Sequence, residues 1–202
     1  MPRRQSGNTK SGKALPTLWL ISDARNDAVL EHAIMRLPLG SGLVFRHYHL
    51  ETEARRARFE RLAKRVRARG GAIVLASDMR TARRWRADGC YGAPGGGADR
   101  RLIRLLTVHD RRELACANGM LGQAQVLISP VFATRTHPGG AHLGVAKFAG
   151  LAGLSRHPVV SLGGMTRARA RQIAAIIAGW AAIDGLSGGG RRHSRGHAAP
   201  SR

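Results

Sequence analysis

The sequence predicts an α/β fold, a closed (β/α)8 barrel of parallel strands with outer helices. Three observations carry this: short apolar runs alternate with amphipathic stretches between residues 17 and 186, eight of those runs qualify as strands, and polar or glycine residues follow several of them. Parallel strands need crossover connections, and helices on both faces hide the sheet from water. An open doubly wound sheet is the competing architecture, but no G-x-G-x-x-G follows the first strand.

TLWLIS (17–22) reads as the first strand and NDAVLEHAIMRL (26–37) as the first helix, capped by Asn26. GLVFRHY (42–48) is the second strand. In the next helix, 52–69, Ala54, Ala57, Leu62 and Val66 stand among many arginines, the pattern of a solvated amphipathic helix, and Gly70-Gly71 stops it. AIVLAS (72–77) follows as a third strand, then a short helix over 79–87 leading into DGCYG (88–92). The stretch APGGGAD beyond it is too glycine-rich for regular structure. RLLTVH (104–109) is another strand. Asp110 then opens DRRELACANGM with Glu113 three residues on, the spacing of a capping box. AQVLISPVF (124–132) is nearly continuously apolar and suits a strand buried on both faces. A helix around 145–153, the strand PVVSLGG (158–164), the helix RARARQIAAIIAGW (167–180) and a last strand near AAIDGL (181–186) complete the series.

The 202 residues suit one domain. Lys and Arg number 34 against 12 Asp and Glu, a net charge of +22, which attracts nucleic acid, anionic membranes or phosphorylated metabolites. Residues 1–16 and 187–202 hold cations but no acids and are rich in Gly, Ser and Pro, so they are expected to be disordered basic tails on a barrel domain at 17–186. Aromatic residues make up only 4%, and no zinc finger or RNA-recognition signature stands out, which leaves nucleic acid a route only through those tails. Cys90 and Cys116 lie far apart without C-x-x-C spacing and read as packing residues. No apolar run approaches the ~18 residues of a membrane span, and no cleavage site follows the N-terminal stretch, so a soluble, cytoplasmic protein without membrane partners is expected.

In a barrel, chemistry gathers at the C-terminal strand ends. Arg46 sits at the end of an otherwise apolar strand, where a guanidinium can hold a diphosphate bidentately. Asp78 follows the third strand, either as a Mg²⁺ ligand or as a helix cap. Thr107 and His109 end the fifth strand. SPVFATRTHPGG (129–140) breaks from a strand into Thr134, Arg135, Thr136 and His137, groups suited to an anion or to an ordinary polar loop. Gly163 and Gly164 precede a helix and leave backbone N–H groups unobstructed, as a phosphate cradle or a tight turn does.

The order of these motifs resembles the thiamine-phosphate synthase/TenI superfamily of TIM barrels over nearly all of 17–186. SPVFATRTHPGG resembles its G-P-[IV]-F-x-T-x-T-K, LLTVH its S-V-H strand end, and PVVSLGGM its P-V-V-A-I-G-G-I. VFRHYHL stands where the family has a strand bearing R-x-K, and IVLASD where it has one ending in N-D. The resemblance implies a transferase that joins hydroxymethylpyrimidine diphosphate to a thiazole phosphate, giving thiamine monophosphate and pyrophosphate. By the same resemblance Arg46 would grip the pyrophosphate, and Thr134 and Thr136 would contact the diphosphate side. Gly163 and Gly164 would bind the thiazole phosphate, with Thr107 and His137 among the substrate-binding residues. Asp78 and Asp99 would hold Mg²⁺. Small phosphorylated metabolites are the expected partners.

The chain departs from the family pattern at several points. Tyr48 and His137 stand where lysines are usual, Ser77 replaces an asparagine, YGAPGGGAD replaces H-L-G-Q-x-D, and the closing Val-Ser is missing near AAIDGLS. The competing readings are a non-catalytic barrel that binds a phosphorylated ligand, a thiazole tautomerase, and a nucleic-acid-binding protein. The tautomerase uses a histidine just before V-F, and Ser129-Pro130 stands there.

Overall fold

The computed structural model describes residues 14–95, 99–134 and 139–187. Both expected tails therefore fall mostly outside the described residues.

Eight parallel strands close a barrel in sequence order: β1 Leu18–Ile21, β2 Gly42–Phe45, β3 Ile73–Leu75, β4 Gly89–Gly92, β5 Ile103–Val108, β6 Ala124–Ile128, β7 Val159–Ser161 and β8 Gly179–Ala182. The β1–β8 pairing closes the ring, with Trp19 opposite Ala181. Six helices cover the outside: α1 Leu30–Arg36, α2 Thr52–Ala68, α3 Met79–Arg84, α4 Arg111–Asn118, α5 Gly144–Ala152 and α6 Arg167–Gln172.

Strand alternation sorts the apolar side chains into two layers. Trp19, Ile21, Val44, Val74, Leu105 and Leu127 point inward and fill the barrel. Their sequence neighbours, such as Leu20, Phe45 and Val126, pack outward against the helices. Trp19 fills the N-terminal end, and Gly42 on the neighbouring strand admits it, because a Cβ there would lie 2.1 Å from the indole ring. The indole N–H donates to Gln125 Oε1 at 2.9 Å, and the Gln125 amide in turn donates to the Pro16 carbonyl. The buried polar atoms of this floor are thereby satisfied.

Some boundaries differ from the sequence expectation. A 3-10 turn, Ala24–Val29, precedes α1, and Asp23 rather than Asn26 is its cap. Asn26 is buried, and its amide donates to the Ile21 carbonyl and Ser187 Oγ, tying the first strand to the 3-10 turn Asp184–Leu186, the last turn among the described residues. β2 stops at Phe45 because the chain turns at His47, whose φ is 37°. β6 stops at Ile128, before the cis Ser129–Pro130 peptide. The helix expected over 167–180 is instead α6, a short 3-10 turn at Ala174–Ile176, and the start of β8 at Gly179. Asp110 does cap α4 through Glu113 N–H, while the Glu113 carboxylate reaches back to His109 N–H.

Candidate functional site

The strands end at a cavity of about 600 Å³. Its walls come from β1 and β4 themselves, at Ile21 and Tyr91, and from the segments after β2 and β5 to β8, and it holds Arg46, Thr134, Gly163 and Gly164 together.

On one side Arg46 follows β2. Its backbone is held at both ends: its N–H donates to Ser22 Oγ at 2.8 Å, and its carbonyl accepts from Arg55 Nε at 2.9 Å. The Arg46 guanidinium lies 5.7 Å from the Tyr48 ring centroid, and Arg55 lies 5.3 Å from the same ring, so two cations share one aromatic face or edge. Ser22 Oγ also meets Nδ1 of buried His47, whose Nε2 meets Asp27 Oδ1, both at 2.8 Å. Burial holds the His47 imidazole below its usual value, against the pull of Asp27. Tyr91 lines the cavity too, and burial pushes its phenol up, so it remains a neutral O–H donor.

On the other side the loop after β7 lies against the loop after β6. Val131 N–H donates to the Leu162 carbonyl at 2.9 Å and Phe132 N–H to the Gly163 carbonyl at 3.2 Å. The approach is close enough to require glycine: Gly163 has φ 94° and a Cβ would lie 2.6 Å from Pro130, while Gly164 has φ 62° and a Cβ would lie 2.3 Å from the Ala133 carbonyl oxygen. Neither glycine's N–H donates to a described residue. Arg169 of α6 lies over the Phe132 ring at 4.7 Å and donates to the Gly164 carbonyl. Asp184 is the one carboxylate among the described lining residues, 3.8 Å from Arg25.

A cavity that places a guanidinium at one end and a pair of open glycine amides with a second guanidinium at the other is built for anions at both ends. A family model described as thiamine monophosphate synthase matches residues 18–186. The chain belongs to this family. Among solved structures, the thiamine phosphate pyrophosphorylase of Pyrococcus furiosus is similar at a TM-score of 0.71 and 20% identity, covering 85% of this chain and 87% of that one. The thiamine phosphate pyrophosphorylase of Bacteroides thetaiotaomicron gives 0.54 and 13%, covering 85% and 84%. Mycobacterium tuberculosis tryptophan synthase gives 0.52 and 14%, covering 87% and 84%. At these identities the likeness speaks to the barrel alone. No curated protein matches the chain in sequence.

Of the residues that the thiamine monophosphate synthase resemblance singled out, Arg46, Thr134, Gly163 and Gly164 share the cavity. Thr107 is half-buried and faces the barrel interior in register with Leu127, outside the lining. Thr136 and His137 lie outside the described residues. Asp78 and Asp99 offer the hard oxygen donors that Mg²⁺ takes, but neither lines the cavity. Asp78 caps α3, accepting from Thr81 N–H and Thr81 Oγ1, each at 2.9 Å. Asp99 accepts from Arg101 N–H at 2.9 Å and from Arg83 Nε at 2.6 Å. These hydrogen bonds, the backbone ones first, hold both carboxylates below the usual range. A metal at Asp99 therefore competes with Arg83.

Arg169 and Tyr91 are lining residues that sequence reasoning missed. Arg169 carried little signal, being one of three arginines in a six-residue helix and falling in its last turn, where a cation suits the helix dipole. Tyr91 carried none, since a lone tyrosine on a short strand looks like packing.

Proposed function

We propose that the chain is a thiamine-phosphate-synthase-type transferase joining hydroxymethylpyrimidine diphosphate to a thiazole phosphate. The observation that carries the reading is the convergence of Arg46 and Thr134 with Gly163 and Gly164 on one cavity of about 600 Å³. In this reading the bond between the pyrimidine methylene carbon and the diphosphate oxygen breaks, the diphosphate takes the electron pair, and the thiazole nitrogen donates its own pair to the carbon. The pyrimidine ring supports the cation, so the protein needs no side-chain nucleophile. Its tasks are to neutralise the leaving group and align the nitrogen.

Arg46 neutralises the leaving diphosphate and Thr134 contacts it, as Thr136 would from the same loop. The Gly163 and Gly164 amides take the thiazole phosphate, with Arg169 beside them. Tyr91 donates its O–H from the cavity wall. Asp78 and Asp99, outside the cavity lining, would hold Mg²⁺ with Asp99 released from Arg83, and the ion would supply positive charge for the leaving group.

Purified protein given both precursors and Mg²⁺ should release pyrophosphate. A folded protein that releases none, yet binds either precursor, supports the second reading, a non-catalytic barrel for a phosphorylated ligand. The ion pair between Arg83 and Asp99 and the loss of a cation at Tyr48 favour that alternative.

A further inference from the structure

We infer that Asp27, His47 and His49 form a site for a divalent transition-metal ion of the zinc class, separate from the cavity and from Asp78 and Asp99. One ligand atom from each of the three lies within 4.8 Å of the others. None of the three lines the cavity. They come from two consecutive loops, Asp27 from the 3-10 turn after β1 and the two histidines from the turn after β2.

The geometry is close to a ligand set. His47 Nε2 and Asp27 Oδ1 are 2.8 Å apart. Two such ligands on one tetrahedral zinc, each about 2.0–2.1 Å from the ion, stand about 3.3 Å apart. The pair has to open by only a few tenths of an ångström. His47 is fixed for the task on three sides: its ring stacks flat on Phe45 at 4.6 Å, it is buried, and Nδ1 lies 2.8 Å from Ser22 Oγ. A metal-bound imidazole takes just such an outer partner on its second nitrogen. Without metal the Nε2 proton donates to Asp27 Oδ1; with an ion bound, the ring proton would sit on Nδ1 and donate to Ser22 Oγ, freeing the Nε2 lone pair for the ion. Neither Asp27 Oδ2 nor the His49 ring carries a hydrogen bond from a described residue, and His49 is exposed and lies beside His47 with ring centroids 5.2 Å apart.

Selection of the ion rests on ligand chemistry, since the surrounding charges balance. Arg58 donates to Asp27 Oδ1 at 2.8 Å, but its fork is committed to Glu31 as well. Asp27 and Glu31 bring two negative charges, which Arg58 and, at Glu31, Arg65 offset. Two imidazoles and one carboxylate select zinc, cobalt or nickel over Mg²⁺, which prefers all-oxygen sites. The bound ion would staple the loop after β2, which begins with Arg46, to the turn after β1.

Zn²⁺ titrated into the full chain in a calorimeter should bind, and Co²⁺ should give the visible bands of a low-symmetry site. His49→Ala, at an exposed position, should raise the Zn²⁺ Kd at least ~10-fold and abolish the rise in melting temperature that Zn²⁺ produces. His32→Ala, on α1, should change neither. Absent Zn²⁺ binding, or an affinity that His49→Ala leaves intact, overturns the site. So does binding that survives His49→Ala and disappears in His193→Ala/His197→Ala, which would place the ion on the C-terminal residues. The transfer reaction plays no part in these readouts.

Discussion

Gly163 and Gly164 show how a single atom decides a site. Alanine at 164 would place its Cβ 2.3 Å from the Ala133 carbonyl oxygen at a φ of 62°, and alanine at 163 would strike Pro130. Strain of this kind costs about 1–3 kcal/mol, so Gly164→Ala should lower the urea midpoint and also weaken phosphate-monoester binding in calorimetry. Arg46 acts by charge. A hydrogen bond to a charged group contributes about 1.5–3 kcal/mol, so Arg46→Ala should weaken pyrophosphate binding by about 10- to 150-fold. Arg46→Lys should fall between, because an ammonium keeps the charge and loses the fork. Glu31 gives a pH prediction. The hydrogen bond from Arg58 holds its carboxyl below the usual range, against desolvation. Its contribution is present above the unfolded value, about 4.3, and is lost as pH falls through the lower folded one. Acid unfolding followed by circular dichroism should therefore show less loss of stability between about pH 5 and 3 in Glu31→Gln than in the parent chain. Arg46 and the glycine pair were legible in the sequence because an arginine after an apolar strand and a Gly-Gly before a helix are each locally anomalous. His47 was legible as a residue at the end of the second strand but not its role, since its partners Ser22 and Asp27 lie 25 and 20 residues away.

At the scale of elements, all eight strands were legible and their ends were not. An apolar run marks burial, whereas a strand ends where hydrogen bonding to its neighbours ends. Val131 is buried like a strand residue, yet it follows the cis Ser129–Pro130 peptide and lies beyond β6. The stretch 167–180 kept a helical look because Ile173, Ile176 and Ile177 have helical spacing, but α6 ends at Gln172, and at Gly179 a Cβ would lie 2.1 Å from the Thr17 carbonyl oxygen, which accepts from Trp180 N–H as the barrel closes. Capping residues are a local signal and were read in part: Asp110 caps α4 as expected, whereas Asp23 takes the place expected of Asn26. Asp110→Ala removes the acceptor for Glu113 N–H and should destabilise the fold by about 0.5–2 kcal/mol, visible as a lower denaturant midpoint with an unchanged slope.

For the whole molecule, the barrel was legible because alternation of strand and helix is a global pattern that tolerates errors at each boundary. The charge has a different distribution from the fold. Residues 1–16 and 187–202 carry eight of the 34 cations, and all 12 acids fall between them. If the tails hold nucleic acid, deleting both should abolish tight filter binding of nonspecific DNA and flatten its dependence on salt. Binding that survives the deletion would assign the attraction to the barrel surface. The plug of Trp19, seated over Gly42 and fastened to Gln125, has a kinetic meaning as well. Among the described residues it closes the barrel interior at that end, so of two guests entering from the opposite end the one seated deeper has to arrive first and depart last.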